Sequence, residues 1–330
     1  MTRPRVYVTR RIPQEGLDMI AQVADIEVWP EELPPPYALL LEKARDADGL
    51  LTLLTDRIDA SLMDAAPKLR VVSNCAVGFD NIDIAEATKR GIMVGNTSEV
   101  LTETTADFAF ALLMAAARHV TEADAFTRKG KWKTWGSQLF LGQDIHHATL
   151  GIIGLGRIGA EMAKRAKGFN MRVLYYDTHR RTDEEEKELG VEYADLKTLL
   201  CNCDFVSLHT PLLPQTHHMI GAAEFALMKS TAVLVNTSRG PVVDEKSLYK
   251  ALKSRRIFAA GIDVTETEPI SPDDPLLTLD NIVITPHIAS ASINTRRNMA
   301  IITAQNLIAG LRGEVPSNCV NPEALRSKNE

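Results

Sequence analysis

The apolar positions of the first hundred residues fall in short β-branched runs separated by stretches of helical spacing. Arg5–Thr9, Ile26–Val28, Gly49–Leu54, Arg70–Asn74 and Ile92–Val94 read as strands, and Pro13–Ala24 and Tyr37–Ala47 as helices. Strands that alternate with helices predict a parallel sheet with helices on its faces. Pro34-Pro35-Pro36 makes a stiff surface loop within this series. Leu101–Gly130 reads as one long helix able to carry the chain from one domain to the next. Thr102 can cap it, Glu103 and Asp107 favour its positive end, and Gly130 suits its stop. The longest apolar run, Phe108–Ala117, lies inside it; ten residues are too few to span a bilayer and suit a buried helix.

A second alternating series starts at Thr149. Thr149–Ile153, Arg172–Tyr176, Asp204–Leu208, Ala232–Asn236, Phe258–Val264 and Asn281–Thr285 read as strands. Arg157–Lys167, Glu245–Lys253 and Ala291–Leu311 read as helices, and Glu184-Glu185-Glu186 as a solvated helix face. The tail from Gly313, with Pro316 and Pro322, is expected to fray. No internal repeat of 20 to 50 residues is present, which excludes a solenoid.

Composition narrows the function classes. At 330 residues the chain exceeds what one core usually serves, so two domains are expected. A net charge of −6 without a basic stripe, and only 5% aromatic residues, argue against a nucleic-acid partner. Cys75, Cys201, Cys203 and Cys319 make no disulfide framework, and the C-x-C spacing fits neither a zinc knuckle nor a thioredoxin-type motif; reduced thiols are expected. No apolar signal core follows Met-Thr-Arg-Pro-Arg, so the expectation is a soluble, cytoplasmic protein with no membrane partner.

The chemistry begins at Leu150–Gly159, where a buried strand runs into G-x-G-x-x-G and a helix. Gly154 permits the tight turn, Gly156 lets the backbone approach a pyrophosphate, and Gly159 allows close helix–strand packing. The helix N-terminus adds free N–H groups and partial positive charge. Asp177 ends the next strand, 18 residues after Gly159, where an acid can accept from ribose hydroxyls and repel a 2′-phosphate. That favours NAD. His179, Arg180 and Arg181 follow at once and could neutralise such a phosphate, which leaves NADP open. Three later segments, Asn236–Gly240, Gly261–Pro269 and Thr285–Ser290, each follow a strand. Strand C-terminal ends are where open α/β sheets place ligands, so Arg239, Glu268 and His287 can converge on one cleft.

With the glycine loop, these segments resemble the D-isomer-specific 2-hydroxyacid dehydrogenases over essentially the whole chain. Ala76–Asp83, Asp107–Leu113 and Phe140-Leu141-Gly142 look like the glyoxylate/hydroxypyruvate reductases of that family. The resemblance implies an α/β fold of two Rossmann-like, doubly wound parallel-sheet domains. A discontinuous substrate-binding domain would comprise 1–100 and 286–330, and a dinucleotide-binding domain 101–285. Arg239 corresponds to the substrate-binding arginine, Glu268 to the carboxylate paired with the catalytic histidine, and His287 to the acid/base. The N–H groups around Val77 and Gly78 are implied to hold the substrate carboxylate. Arg157 and Ile158 fall on the pyrophosphate loop and Asp263 on the contact to the nicotinamide amide. Thr105, Thr178, His179, Thr210, Pro211, Thr237, Ser238 and Ala289 fall at further cofactor positions. A homodimer is implied, with Trp135 reaching the partner's site.

The residue chemistry agrees with that implication. Hydride attack on a 2-oxo carbon develops negative charge on the carbonyl oxygen. A guanidinium can bind the carboxylate and stabilise the oxyanion, an imidazolium can donate the proton, and a neighbouring carboxylate favours the charged imidazole. Arg and His supply the electrophilic assistance, so no metal is expected; His146-His147 and His217-His218 read as surface loops. The implied reaction is NAD(P)H-dependent reduction of glyoxylate or hydroxypyruvate to a D-2-hydroxy acid. Val77 stands where phosphite dehydrogenase carries lysine, and Glu268 where formate dehydrogenases place glutamine. No regulatory domain follows the last helix, which weakens 3-phosphoglycerate dehydrogenase as the alternative within the family. From another class, an NAD-sensing, corepressor-like binding protein would keep the same three residues.

Overall fold

The computed structural model describes residues 3–325. The chain divides into two units: residues to Leu101 together with those from Ala291, and Thr102–Ser290. The first unit runs β1 (Arg5–Val8), α1 (Gln14–Ala21), β2 (Asp25–Val28), α2 (Tyr37–Ala44), β3 (Gly49–Thr52), α3 (Ala60–Ala65), β4 (Val71–Asn74), α4 (Ile84–Lys89) and β5 (Met93–Gly95). Its strands are all parallel in the order β2-β1-β3-β4-β5. Every residue of β3 and β4 is buried, as a sheet covered on both faces requires. Asp59 and Asp83 cap α3 and α4, accepting from Leu62 N and Glu86 N, each at 3.0 Å. These six-residue helices are too short to declare a period in the sequence.

The second unit runs α5 (Thr102–Ala117), α6 (Val120–Arg128), β6 (Thr149–Ile153), α7 (Arg157–Lys167), β7 (Arg172–Tyr176), α8 (Asp183–Leu189), β8 (Glu192–Tyr193), α9 (Leu196–Asn202), β9 (Phe205–Leu208), α10 (Ala222–Leu227), β10 (Val233–Asn236), α11 (Glu245–Lys253), β11 (Ala259–Ile262) and β12 (Ile282–Ile284). Its seven parallel strands lie in the order β12-β11-β10-β9-β6-β7-β8. The chain moves outward from β6 through β8, then returns to pair β9 against β6. That reversal is the topological switch point of a doubly wound sheet. One buried layer lies under α5 and α7, and another under α9, α10 and α11. Finally α12 (Ile293–Leu311), capped by Ser292, returns the chain to the first unit and packs on α1, β3 and β4.

Four expectations are corrected. The helix read over Leu101–Gly130 breaks: α5 ends at Ala117 and His119 takes φ of 52°. Gln143 N reaches the Ala117 carbonyl at 3.0 Å, the acceptor that a continuous helix would give to Thr121. The tail from Gly313 is pinned rather than frayed as far as Leu325. Val320 N donates to Val94 O at 2.8 Å, and the buried Asn321 side chain accepts from Val94 N at 2.8 Å and donates to Ile92 O at 3.0 Å. Residues 326–330 of that tail lie outside the described residues. Glu186 is not solvated: it accepts from the Tyr175 hydroxyl at 2.8 Å and from Arg180 Nε at 2.9 Å. The Arg180 bond foremost holds its carboxyl below the usual range, while burial foremost pushes the Tyr175 phenol up to about 12. The unit boundaries fall after Leu101 and Ser290, not after residues 100 and 285. Asp263, at the end of β11, draws residues 288 and 289 into the second unit by accepting from both backbone N–H groups.

Candidate active site

All strands of the second unit are parallel, so the turns after them share one edge of the sheet. At the switch point, Gly154 takes φ of 93° and donates its N–H to Tyr176 O at 2.8 Å. A Cβ at Gly159 would lie 2.2 Å from the Gly154 carbonyl, so α7 reaches the turn only with glycine there. Gly156 caps α7 without a side-chain bond, and a Cβ there would meet nothing within 4 Å. The turn is therefore open at the point where Arg157 and Ile158 begin the helix, whose first-turn N–H groups have no acceptor within the helix itself.

Asp177 binds the glycine loop directly. Its Oδ2 accepts from Leu155 N at 2.8 Å and its Oδ1 from His179 N at 3.2 Å and the Thr178 hydroxyl at 3.3 Å. The two arginines that follow are already paired. Arg180 binds Glu186 and Asp183, and Arg181 donates to Leu155 O at 2.9 Å and Glu185 Oε1 at 3.2 Å. Both side chains are nonetheless 56% and 40% exposed, so these pairs weaken their reach toward a 2′-phosphate without removing it.

A dinucleotide fits these residues on a second ground. Among the described residues of this unit, the buried side-chain polar atoms without a partner are the hydroxyls of Thr105, Thr210 and Thr237. Unmet buried hydroxyls cost about 1–3 kcal/mol each, and they call for a ligand. Thr210 follows β9 and Thr237 follows β10. Pro211 O accepts from the Thr216 hydroxyl at 2.7 Å, which shapes the same turn. His209 was missed in the sequence. Its backbone carbonyl packs 2.9 Å from where a Gly154 Cβ would stand, and its Nε2 lies 2.9 Å from Ser207 Oγ. Burial pushes its imidazole pKa down to about 4.

Three adjoining strands carry the expected catalytic groups. After β10, the Asn236 side chain accepts from Ser238 N at 3.0 Å and donates to Arg239 O at 2.9 Å, folding the turn that presents Arg239. Arg239 Nη1 donates to Ser238 O at 2.8 Å. Gly240 presses this turn onto the next strand's loop: a Cβ there would stand 2.0 Å from the Thr265 backbone. After β11, Glu268 Oε1 accepts from Thr265 N at 3.3 Å, and its Oε2 meets His287 Nδ1 at 2.8 Å. His287 follows β12 with φ of 55°, its N–H held by Asp263 O at 2.9 Å. Both side chains are about a quarter exposed, 26% for His287 and 28% for Glu268. With Nδ1 bonded to Glu268, Nε2 is the atom left to exchange a proton with a ligand.

Asp263 stands at the end of β11, under the loop that carries His287. It is 1% exposed, and its carboxylate accepts from the Thr285 hydroxyl at 2.7 Å, Ile288 N at 2.8 Å and Ala289 N at 2.7 Å. Its visible work is to fold the loop that presents His287. In the first unit, Val77 and Gly78 lie in the turn after β4, their carbonyls accepting from Asn96 Nδ2 at 2.8 Å and Asn74 Nδ2 at 2.9 Å. Trp135 lies in the second unit, 80% exposed. Among the described residues, no helix is long and apolar enough to cross a membrane.

Residues 110–289 match the family model of the D-isomer specific 2-hydroxyacid dehydrogenase NAD binding domain. A glyoxylate reductase of Korarchaeum cryptofilum is 59% identical over 325 residues, 98% of each chain. The solved structure of the TT0316 protein from Thermus thermophilus matches with a TM-score of 0.91 and 44% identity, covering 96% of this chain and 99% of that one. The NADPH-dependent glyoxylate/hydroxypyruvate reductase of Sinorhizobium meliloti, solved in complex with NADP and malonate, matches with a TM-score of 0.87 and 31% identity over 98% of each chain. The glycine turn at the switch point and the strand ends around it are thus those of a known lineage, and the chain belongs to the D-isomer specific 2-hydroxyacid dehydrogenases.

Proposed function

We propose that the protein reduces small 2-oxo acids, glyoxylate or hydroxypyruvate, to D-2-hydroxy acids, with NADH preferred over NADPH. The observation that carries the reading is the 2.8 Å contact of Glu268 with His287 Nδ1, beside the strand that presents Arg239. The bound nicotinamide supplies the hydride. His287 holds a proton at Nε2 and delivers it to the carbonyl oxygen, while Glu268 fixes the ring through Nδ1. Arg239 binds the substrate carboxylate and answers the charge that develops on the oxygen. The N–H groups of Val77 and Gly78, in the turn after β4, are proposed as the first unit's donors to a carboxylate. Asp177, with Arg180 and Arg181 already paired, supports the preference for a cofactor lacking a 2′-phosphate. His287→Ala should lower kcat by roughly 10²–10⁴, read as nicotinamide absorbance with glyoxylate and NADH. Undiminished turnover in that variant would remove the assignment.

The reading includes a homodimer in a reducing, cytoplasmic setting. All four cysteines are free. Helix α6 buries none of its residues, and Trp132, Trp135 and Leu141 near it are 59%, 80% and 63% exposed. An apolar surface of this kind suits a second copy, and Trp135 is the side chain assigned to reach it. Sedimentation should return twice the 36.3 kDa chain mass; a monomer at micromolar concentration overturns this part.

A further inference from the structure

Two reciprocal hydrogen bonds tie the loop that carries Glu268 to the start of α11. Glu245, the first residue of α11, donates its N–H to Glu266 Oε1 at 3.0 Å, and Glu266 donates its N–H to Glu245 Oε1 at 2.6 Å. His218 Nε2 lies 2.9 Å from the same Glu266 oxygen. Glu266 thus meets an N–H that a first helical turn leaves without an intrahelical partner. Asp244, one residue earlier, takes the Ser247 N–H at 3.2 Å in the same way.

These bonds lie where two loops of the proposed site touch. Gly240, next to Arg239, is pressed against the Thr265 backbone. Thr265 N in turn reaches Glu268 Oε1 at 3.3 Å, and the Thr265 hydroxyl bonds Thr267 O at 2.8 Å. Residues 266–269 are all exposed, so the loop has little apolar packing to hold it. The arrangement gathers negative charge against its own repulsion. Burial pushes the Glu245 carboxyl up, and Glu266, Asp274 and Glu268 add to that, while the Glu266 N–H opposes them. Proton delivery from His287 uses neither Glu245 nor Glu266.

We propose that Glu245 and Glu266 are positioning residues, a reciprocal clamp that keeps Glu268 in register with His287 and with the Arg239 turn. The proposal rests on the reading of Glu268 and His287 given above. Its physical basis is the steep dependence of proton transfer on geometry, where a displacement of about 1 Å costs on the order of 100-fold in rate. What matters is each side chain's acceptor oxygen, so a glutamine can replace a glutamate and an alanine cannot.

The test compares Glu245→Ala, Glu245→Gln and Glu266→Ala with wild type, using NADH and glyoxylate. Glu245→Ala should lower kcat roughly 10- to 100-fold while the glyoxylate KM and NADH affinity, read by fluorescence, change less than about threefold. Glu245→Gln should recover most of the loss. Unchanged kcat in Glu245→Ala overturns the clamp, as does a loss that Glu245→Gln shares. Should Glu245→Ala fail to fold, Glu266→Ala removes the other half of the clamp and carries the same expectation and the same refutation. A spectroscopic readout separates the clamp from the reaction. The His287 Nδ1 proton, held by Glu268, should give a slowly exchanging NMR signal in wild type that is lost or broadened in either alanine variant. Its persistence there overturns the clamp even if turnover falls. Its loss, in a protein whose wild type fails to reduce glyoxylate, supports the clamp and overturns the reading of the reaction instead.

Discussion

The two units repeat one architecture and use it differently. Each has a central strand, β1 or β6, at which the strand order reverses, and each sends the chain from that strand through a turn into a helix. In the second unit the turn is open: Gly156 leaves bare space and caps α7 without a side chain. In the first unit the same place is closed. Pro13, which has no N–H, stands at the start of α1. Asp56, 3% exposed, fills the turn and accepts from the Thr9 hydroxyl, from Leu53 N at 2.7 Å and from Arg10 at 3.4 Å. A doubly wound sheet provides the place for a phosphate, and the turn residues decide whether anything can enter it.

Three measurements bear on that contrast, the largest first. His209, at the open turn, is held neutral with its pKa pushed down from 6.5 to about 4. The unfolded chain takes up the proton first as pH falls. The stabilisation is therefore complete above about pH 6.5 and lost as pH drops through about 4, worth up to about 3 kcal/mol. Thermal unfolding across that range should flatten in His209→Asn; an equally steep acid limb would show that other groups set it. At the closed turn, Asp56→Ala takes the acceptor from Leu53 N and from the Thr9 hydroxyl and should cost about 2 kcal/mol in denaturant unfolding. NADH affinity should stay as it was, and a loss of affinity would mean that the first unit's turn also serves the cofactor. The smallest effect is the most discriminating. Gly156→Ala introduces no clash, so the melting temperature should move by no more than about 2 °C. NADH affinity should nevertheless fall about tenfold, or about 1.4 kcal/mol, because the methyl occupies the ligand's approach. An unaltered dissociation constant would break the contrast between the two turns.

What could be read from the chain divides along physical lines. Central strands such as β6 and β7 were legible to the residue, because a sheet buried on both faces demands uninterrupted apolar runs. The glycine turn was legible because Gly154 needs a left-handed φ and Gly159 a close helix approach, with Gly156 between them left open toward a ligand. The two-residue edge strand β8 and the short helices α3 and α4 gave no periodic signal. The break after Ala117 was hidden because it depends on Gln143, a residue far along the chain that takes the helix's carbonyl. Asn321 was hidden for the same reason, since three of its side chain's partners lie more than two hundred positions away. Among the site residues, Glu268 and His287 were identified through resemblance, and their contact required the fold. The holding parts of Asn236 and Asp263, and the Glu245–Glu266 exchange, lie in bonds to backbone N–H and C=O groups. Such bonds leave almost no mark on residue spacing.

The pinned tail has a consequence for synthesis on the ribosome. Strand β5 is the edge of the first sheet, and its outer side is completed by Cys319 and Val320, with Asn321 locking the join. The second unit is one continuous stretch and can mature as it emerges. The first unit cannot: its segment up to Leu101 must wait, with a bare strand edge and without α12 over β3 and β4, until the intervening second unit, α12 and Val320–Asn321 have also been translated. Of the two units, the one whose first segment leaves the ribosome earlier is thus the one completed later.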